Sequence, residues 1–471
     1  MSPFNEVRYR TLLEGLEALE IPLSSLERTM RLDAEYFAHE HVRVAAQLTK
    51  RTTEPITELA GVSDGNHFSV SADFVETGVP YYRGQDVAAH FFVEQATPNL
   101  ISEESFKRPY MARSHLKRGD VLLSIVGTIG KASIVSEEAN ATCSCKLAIL
   151  RPRKVKPEYL AAFLRTSQGN SQIRRNTRGA VQMGLLLADM DQIQVPRLSE
   201  KFESAIASIV VRSKDSTLDA ALTVEKSSDT LMNSLGLENW KAPEPLAYAC
   251  NLSFAFAAAR LDAEFQQPKY QAIFEELSAR FEVELLGKLG LVLKGFTVPY
   301  SDNGQVPIIR SGDLSDLSDE SRFLRADSEE AIFELQRGDV LISCIGFGSI
   351  GKVQVFDKPG RYGTVSEVTV IRQNKINPFY LAAFFRSKPG QMQIERYITG
   401  ATGQLHLYAK DVAKFWIPIL PSAEQLEFER IEKSVSTAIK RAKELLEVAT
   451  RAIEIAIETD ESHANKYIKA N

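Results

Sequence analysis

Leu116–Lys131 reads LKRGDVLLSIVGTIGK, and the chain writes it twice: Leu335–Lys352 reads LQRGDVLISCIGFGSIGK. Arg118 maps to Arg337, 219 positions on, and Lys131 to Lys352, 221 on, so the second copy has two more residues in its glycine turn. Working outward, Tyr159–Arg165 (YLAAFLR) returns as Tyr380–Arg386 (YLAAFFR), and Val195-Pro196 as Ile417-Pro418. Val79–Asp86 (VPYYRGQD) returns as Val306–Asp313 (VPIIRSGD), and Arg31–Tyr36 (RLDAEY) as Arg260–Phe265 (RLDAEF). Solenoid units run about 20–50 residues, so a repeat of this length is a whole domain duplicated within one chain. Such a chain has an internal pseudo-two-fold.

At 471 residues, the length suggests about three domains. A hydrophobic content of 44% and a charged content of 25% are those of an ordinary globular protein. The net charge of −5 excludes a uniformly basic nucleic-acid coat, so any nucleic-acid surface must be local. The four cysteines (Cys143, Cys145, Cys250, Cys344) have no zinc-site spacing and read as reduced thiols. No apolar run follows the N-terminal charges and none reaches about 18 residues, so neither a signal peptide nor a membrane span is expected.

Residues 5–20 place Leu12, Leu13, Leu16 and Leu19 at helical spacing, with Pro22 as a stop. Thr11, Leu12, Leu13 and Leu16 echo Thr230, Leu231, Met232 and Leu235, so the N-terminal helix resembles the end of the mid-chain helix. Ser24 or Ser25 is placed to cap a second helical segment running to about Phe37. From about Pro55 to Leu198 the period shortens. Val79–Tyr82, Val121–Val126, Ala132–Val135 and Leu147–Leu150 read as short buried strands, and Tyr159–Arg165 and Gly169–Arg175 as short helices. Residues from about Phe281 to Pro421 repeat this α/β unit. Behind each unit comes a heptad seam of mostly small residues. The first is Ile206, Ile209, Ser213, Ser216, Ala220, Thr223 or Val224, Ser227 and Leu231. The second is Phe428, Ile431, Val435, Ala438, Ala442, Leu445, Ala449, Ala452 and Ala456. Two such helices most simply pair antiparallel, although two independent amphipathic helices would show the same spacing.

Gly346–Lys352 fits G-x-x-x-x-G-K, but Val353 stands where a P-loop needs Ser or Thr, and the residues after it alternate like a strand. Tight strand connections that use glycine at positive φ explain both copies better. There is no H-E-x-x-H, no G-x-S-x-G, and no Asn/Asp-Pro-Pro-aromatic tetrapeptide of the kind amino-methyltransferases carry. His39 and His41, two apart on a helix, point in different directions and make a poor metal site. Between Lys146 and Arg178 stand nine basic residues (Lys146, Arg151, Arg153, Lys154, Lys156, Arg165, Arg174, Arg175, Arg178) against Glu158 alone. Such a run is commonly just a solvated face. In a net acidic chain it suggests phosphate contact. The second copy has Arg372, Lys375, Arg386, Lys388 and Arg396 against Glu367 and Glu395, a smaller excess.

These features in this order, twice over, resemble the specificity subunit of type I restriction–modification systems. The RGDVL(L/I)S strand with its glycine turn, the YLAAF helix and the strands after Asp189 and Asp411 carry the resemblance, from about Arg31 to Ile457. No single motif is specific. The resemblance implies an α+β chain: two duplicated α/β target-recognition domains joined by two long antiparallel coiled-coil helices with a pseudo-two-fold. The expected division is an N-terminal helical segment (1–53), recognition domain 1 (54–198), spacer helix 1 (199–238), a linker with a helix (239–280), recognition domain 2 (281–420) and spacer helix 2 (421–471). Each domain is expected to read one half of a split site on double-stranded DNA. The helices are expected to dock two adenine-N6 methyltransferase (modification) subunits, and restriction subunits can join that core. The subunit itself is expected to be non-catalytic and cytoplasmic, without cofactor, S-adenosylmethionine sitting on the partner. The alternative is a stand-alone DNA-binding regulator with two recognition domains. Candidate DNA contacts are Asn66, His67, Arg83, Gln85, Lys131, Arg174, Arg175, Arg178 and Gln182 in the first copy, and Arg310, Ser311, Lys352, Arg396 and Gln404 in the second. For each, a turn-stabilising or internally satisfied polar group is the plainer reading.

Overall fold

A computed structural model describes residues 4–25, 31–138, 140–179, 183–318, 320–346, 348–400 and 405–471. The chain forms two compact units, Met1–Ser216 with Arg441–Asn471, and Thr217–Lys440. Each long helix contributes residues to both: Glu200–Ser234, 35 residues, and Ser422–Glu458, 37 residues.

In the first unit one four-stranded antiparallel sheet has the order Ala60–Asp64, Leu147–Pro152, Val121–Ser124, Ala132–Ile134. The run VLLS is buried throughout because both faces of this sheet are covered. Val121 and Leu123 join the core under the helix Pro157–Arg165, whereas Leu122 and Ile149 join a separate core on the other face. That alternation is the two-residue period of a strand. A second sheet, Phe74–Val75, Asn99–Ile101, Val79–Tyr82, Thr142–Cys143, pairs its last two strands in parallel.

The second unit repeats the first sheet with Gly290–Lys294, Val368–Gln373, Val340–Ser343 and Val353–Val355. Its smaller sheet, Leu324–Ala326, Val306–Ile309, Gly363–Thr364, Phe333–Glu334, keeps the parallel pair but carries its extra strand on the opposite edge. A two-stranded clasp closes each domain, Thr53–Pro55 with Gln194–Pro196 and Val283–Leu285 with Trp416–Pro418. Beneath each clasp the buried tyrosine of the YLAAF helix donates to a carbonyl, Tyr159 to Pro196 at 2.8 Å and Tyr380 to Pro418 at 2.5 Å. Replacing either tyrosine with Phe leaves a buried carbonyl unpaired and should cost about 1–3 kcal/mol. The expected result is a lower urea midpoint for each variant. An unchanged midpoint would mean that the clasp carbonyls find another donor.

The glycine turns are strand connections. Gly127 and Gly130 have φ of 81° and 85°, and Gly346, Gly348 and Gly351 have 105°, 77° and 83°. Lys352 leads directly into the strand Val353–Val355, as a P-loop lysine would not. Cys143 and Cys344 are buried thiols, and burial pushes Cys344 up to about 11.

The heptad seams are real, and in the first unit the helices run antiparallel. In the first unit Ser213 Oγ donates to the Ala442 carbonyl at 2.8 Å, and the Ser199 backbone N–H to Glu461 at 2.7 Å. Ala449, Ala452 and Ala456 are fully buried with Ile206 in the main core of that unit. In the second unit Leu231, Leu235 and Phe428 share one core. Thr223 is half-buried while Val224 is exposed, so Thr223 holds the seam position.

The chain end docks on the first domain. Arg51 reaches the carbonyls of Ile457 and Thr459, and Ser167 N–H donates to Glu454 at 2.8 Å. Arg280, 229 positions after Arg51, donates to the Gly236 carbonyl at 2.9 Å just past the first long helix. The N-terminal expectation fails in part. The helix spans only Glu6–Leu13 and buries none of its residues. Gly15, at φ 78°, breaks the pattern, and Leu12 and Leu16 stay exposed. Of the helical segment expected up to Phe37, the described residues form only short 3-10 turns at Leu23–Ser25 and Glu35–Phe37, and 26–30 lie outside the described residues.

Candidate nucleic-acid interface

The strand Val79–Tyr82 delivers Arg83 to the start of the helix Gly84–Ala89, where its backbone N–H donates to Asp86 at 2.7 Å. The guanidinium lies over the Phe74 ring at 4.9 Å. Gly84 packs against the glycine turn, its carbonyl accepting from Thr128 Oγ1 at 3.0 Å. A Cβ at Gly84 would stand 3.1 Å from that hydroxyl oxygen, so the close approach favours glycine. Between these loops opens a cleft of about 470 Å³, lined among others by Phe68, Ser71, Arg83, Gln85, Thr128 and Lys146. Gln85, Lys131 and Lys146 are exposed. Burial raises the Tyr81 phenol on the cleft wall above its ordinary range. His67, more than half exposed, bonds Asp64 at 2.6 Å, and Arg113 bonds the same carboxylate.

In the second domain Arg310 repeats Arg83. Its N–H donates to Asp313 at 2.9 Å, and its guanidinium also turns to that carboxylate, at 3.3 Å. Ser311 Oγ donates to Glu367 at 3.2 Å, and Lys352 is half-exposed.

Several expected contacts are otherwise engaged. Asn66 is buried, with its amide donating to the Phe68 carbonyl and accepting from the Phe68 N–H. It therefore orders its loop and offers no free edge. Arg175 and Arg396 are latches. The Arg175 guanidinium stacks on Tyr36 at 4.2 Å and donates to its carbonyl at 3.0 Å. Arg396 does the same to Phe265, at 4.5 Å and 3.2 Å. Burial lowers the pKa of both. Each latch pins an RLDAE segment, in which Arg31 pairs with Asp33 and Arg260 with Asp262. These pairings raise both arginines and lower both aspartates.

The nine-residue basic run is also thinner at the surface than its sequence implies. Arg165 is half-buried, its guanidinium held against the Ala132 and His90 carbonyls at 2.6 Å, and desolvation pulls it down to about 10. Arg151 pairs with Asp120. Exposed members are Lys146, Arg153, Lys154, Lys156, Arg174 and Arg178, the last bonded to Asp189 at 2.7 Å. In the second copy Arg372 and Arg386 pair with Asp339 and Glu432. Gln182 and Gln404 lie outside the described residues. His41 bonds Ser171 and His39 the Ala18 carbonyl, so the two rings diverge. No helix among the described residues is long and apolar enough to cross a membrane.

One α/β domain written twice, each copy closed by the same clasp and latch and served by a long helix, defines a duplicated-domain protein. Residues 284–449 match the family described as the type I restriction modification DNA specificity domain. The first copy lies outside that span, yet repeats its sheet order, clasp and latch. The resemblance to type I specificity subunits therefore stands. Among solved structures, the S subunit of a type I system from M. genitalium is 12% identical, covering 86% of this chain and 95% of its own, at a TM-score of 0.41. The HsdS subunit from Thermoanaerobacter tengcongensis is 15% identical over 87% and 97%, at 0.30. These global likenesses are loose. No curated protein matches the chain.

Proposed function

We propose that this chain is the DNA-specificity subunit of a type I restriction–modification complex. Each recognition domain reads one half of a bipartite site, and the chain itself makes and breaks no bonds. S-adenosylmethionine and the adenine-N6 transfer belong to the modification subunits. The observation that carries this reading is one scaffold repeated with different side chains on the same loops: Gly84-Gln85 against Ser311-Gly312, and Lys146 against Glu367. A shared frame with unlike reading edges suits two unlike half-sites. The test is modification-sensitive sequencing of DNA methylated by this chain with its modification subunit. The expected motif has two different half-sites, a fixed gap, and one methylated adenine per half on opposite strands. A single undivided motif, or no methylation, would overturn the reading.

Docking of two modification subunits is supported by a repeated apolar pair. Leu23 and Leu32 are exposed in the first copy, and Leu252 and Leu261, each 229 positions on, in the second. A partner bound twice needs such a surface twice. Leu32→Asp and Leu261→Asp should each remove one modification subunit by mass photometry, and unchanged stoichiometry would remove these leucines from the interface. Reversal of Arg174 and Arg178 to Glu should weaken binding to all sequences alike and flatten the salt slope by about two, since phosphate contacts position without specifying. Equal slopes would take both out of the interface. Arg175 is left out because its loss would free the RLDAE segment.

A further inference from the structure

The two recognition domains present opposite charges at one position. Lys146 and Glu367, 221 positions apart, each immediately precede the equivalent strand, Leu147–Pro152 or Val368–Gln373. The backbone confirms the equivalence: Ile125 N–H donates to the Lys146 carbonyl at 3.0 Å, and Cys344 N–H to that of Glu367 at 2.9 Å. Both side chains are exposed, and neither enters an ion pair among the described residues. Lys146 stands in the cleft with Arg83 and Gln85. Glu367 accepts from Ser311, the residue after Arg310, and Ser311 engages only Oε2. The serine restrains the carboxylate and leaves Oε1 for a donor.

A carboxylate on a DNA-facing edge is repelled by phosphates, so its favourable partner is a donor on a base. In the major groove, guanine presents two acceptors, thymine an acceptor and a methyl, and adenine an acceptor beside its amine. Cytosine alone presents an amine with no adjoining acceptor on the same base. A lysine has the opposite preference and suits guanine O6 and N7. We infer that Glu367 and Lys146 are specificity-determining residues of the two half-sites, Glu367 taking a cytosine N4 amine and Lys146 a guanine edge. The inference rests on the proposed function.

The experiment uses the full chain with its modification subunit, and reads the methylated motif for wild type, Glu367→Ala, Glu367→Gln and Lys146→Ala. Both positions are exposed, so the variants should fold and assemble. Glu367→Ala should relax one C·G pair in one half-site by roughly ten- to hundredfold and leave the other half-site unchanged. Glu367→Gln should keep a weaker preference there, because the amide retains one acceptor. Lys146→Ala should relax one guanine in the other half-site. An intact bipartite motif with no relaxed position in either variant, or uniform loss across all sequences, would overturn the inference while leaving the proposed function standing. Absence of a bipartite motif with wild type would sink both.

Discussion

Ala449→Glu should release the chain end from the first recognition domain. Ala449 is fully buried in a core that also holds Phe202, Ile206, Ile209 and Val210 from the first long helix. A methyl there allows the two backbones to approach. A glutamate must either bury a charge without a partner or push the helices apart. The cost of an unpaired buried charge is about 3–5 kcal/mol, equivalent to a fall of roughly 6–20 °C in the midpoint of a unit this size. Ser436→Glu, on an exposed position of the same helix, should change the midpoint little. Because the chain end is held by Arg51, Ser167 and Ser199, its release should also expose it to limited proteolysis near Glu454. Binding of modification subunits should fall with it, and Ala442→Glu should act alike at the Ser213 contact. A variant with wild-type midpoint, proteolysis and stoichiometry would remove this seam from the assembly.

The duplication was legible because the residues that must be buried or must turn are the ones repeated. RGDVL, YLAAF and the clasp Val-Pro or Ile-Pro return because each fills the same place in the same core. Insertions in one copy or the other fall between them, which is why the offset falls from 229 to 219 along the chain and then rises to 222. The fate of single arginines was not legible in the same way. Arg174 and Arg175 are neighbours in one basic run, but one faces solvent and the other stacks on Tyr36 from a segment about 140 positions upstream. Charge counting cannot separate them. A signal was nevertheless present: Arg175 with Tyr36 and Arg396 with Phe265 recur as pairs, an arginine and an aromatic kept together through the duplication. The N-terminal leucines erred in the other direction, since helical spacing in a sequence does not supply a surface to pack against. Asn66 shows a third limit, because a polar residue in a glycine-flanked loop can read a base or build the loop, and only its Phe68 bonds decide.

Removing one heptad from the paired helices should shorten the unread gap between half-sites. Glu200–Ser234 and Ser422–Glu458 are about 52 and 55 Å long at about 1.5 Å per residue. If they are the spacer, their length sets the separation of the half-sites, expected at one helical turn of DNA or slightly more, about 34–45 Å. Deleting Ala220–Lys226 alone would leave the two helices of unequal length between their anchors. The partner must therefore lose a heptad as well, and Lys433–Ile439 is the suitable stretch. It lies between Glu432, which holds Arg386, and Ala442, which holds Ser213. After both deletions Ser227 takes the place of Ala220 and Ala442 that of Val435, so both seams stay in phase. Each helix shortens by about 10 Å, close to three base pairs of DNA. Three base pairs also turn one half-site by about 100° around the duplex, since a turn takes 10–10.5. The DNA or the complex must twist to absorb this. The expected result is a motif with both half-sites unchanged, a gap shorter by about one to three base pairs, and slower methylation. Two observations would separate length from other causes. Single deletions should lose assembly, because one helix must then bulge. If the double deletion assembles and methylates the wild-type gap at the wild-type rate, the helices do not measure it.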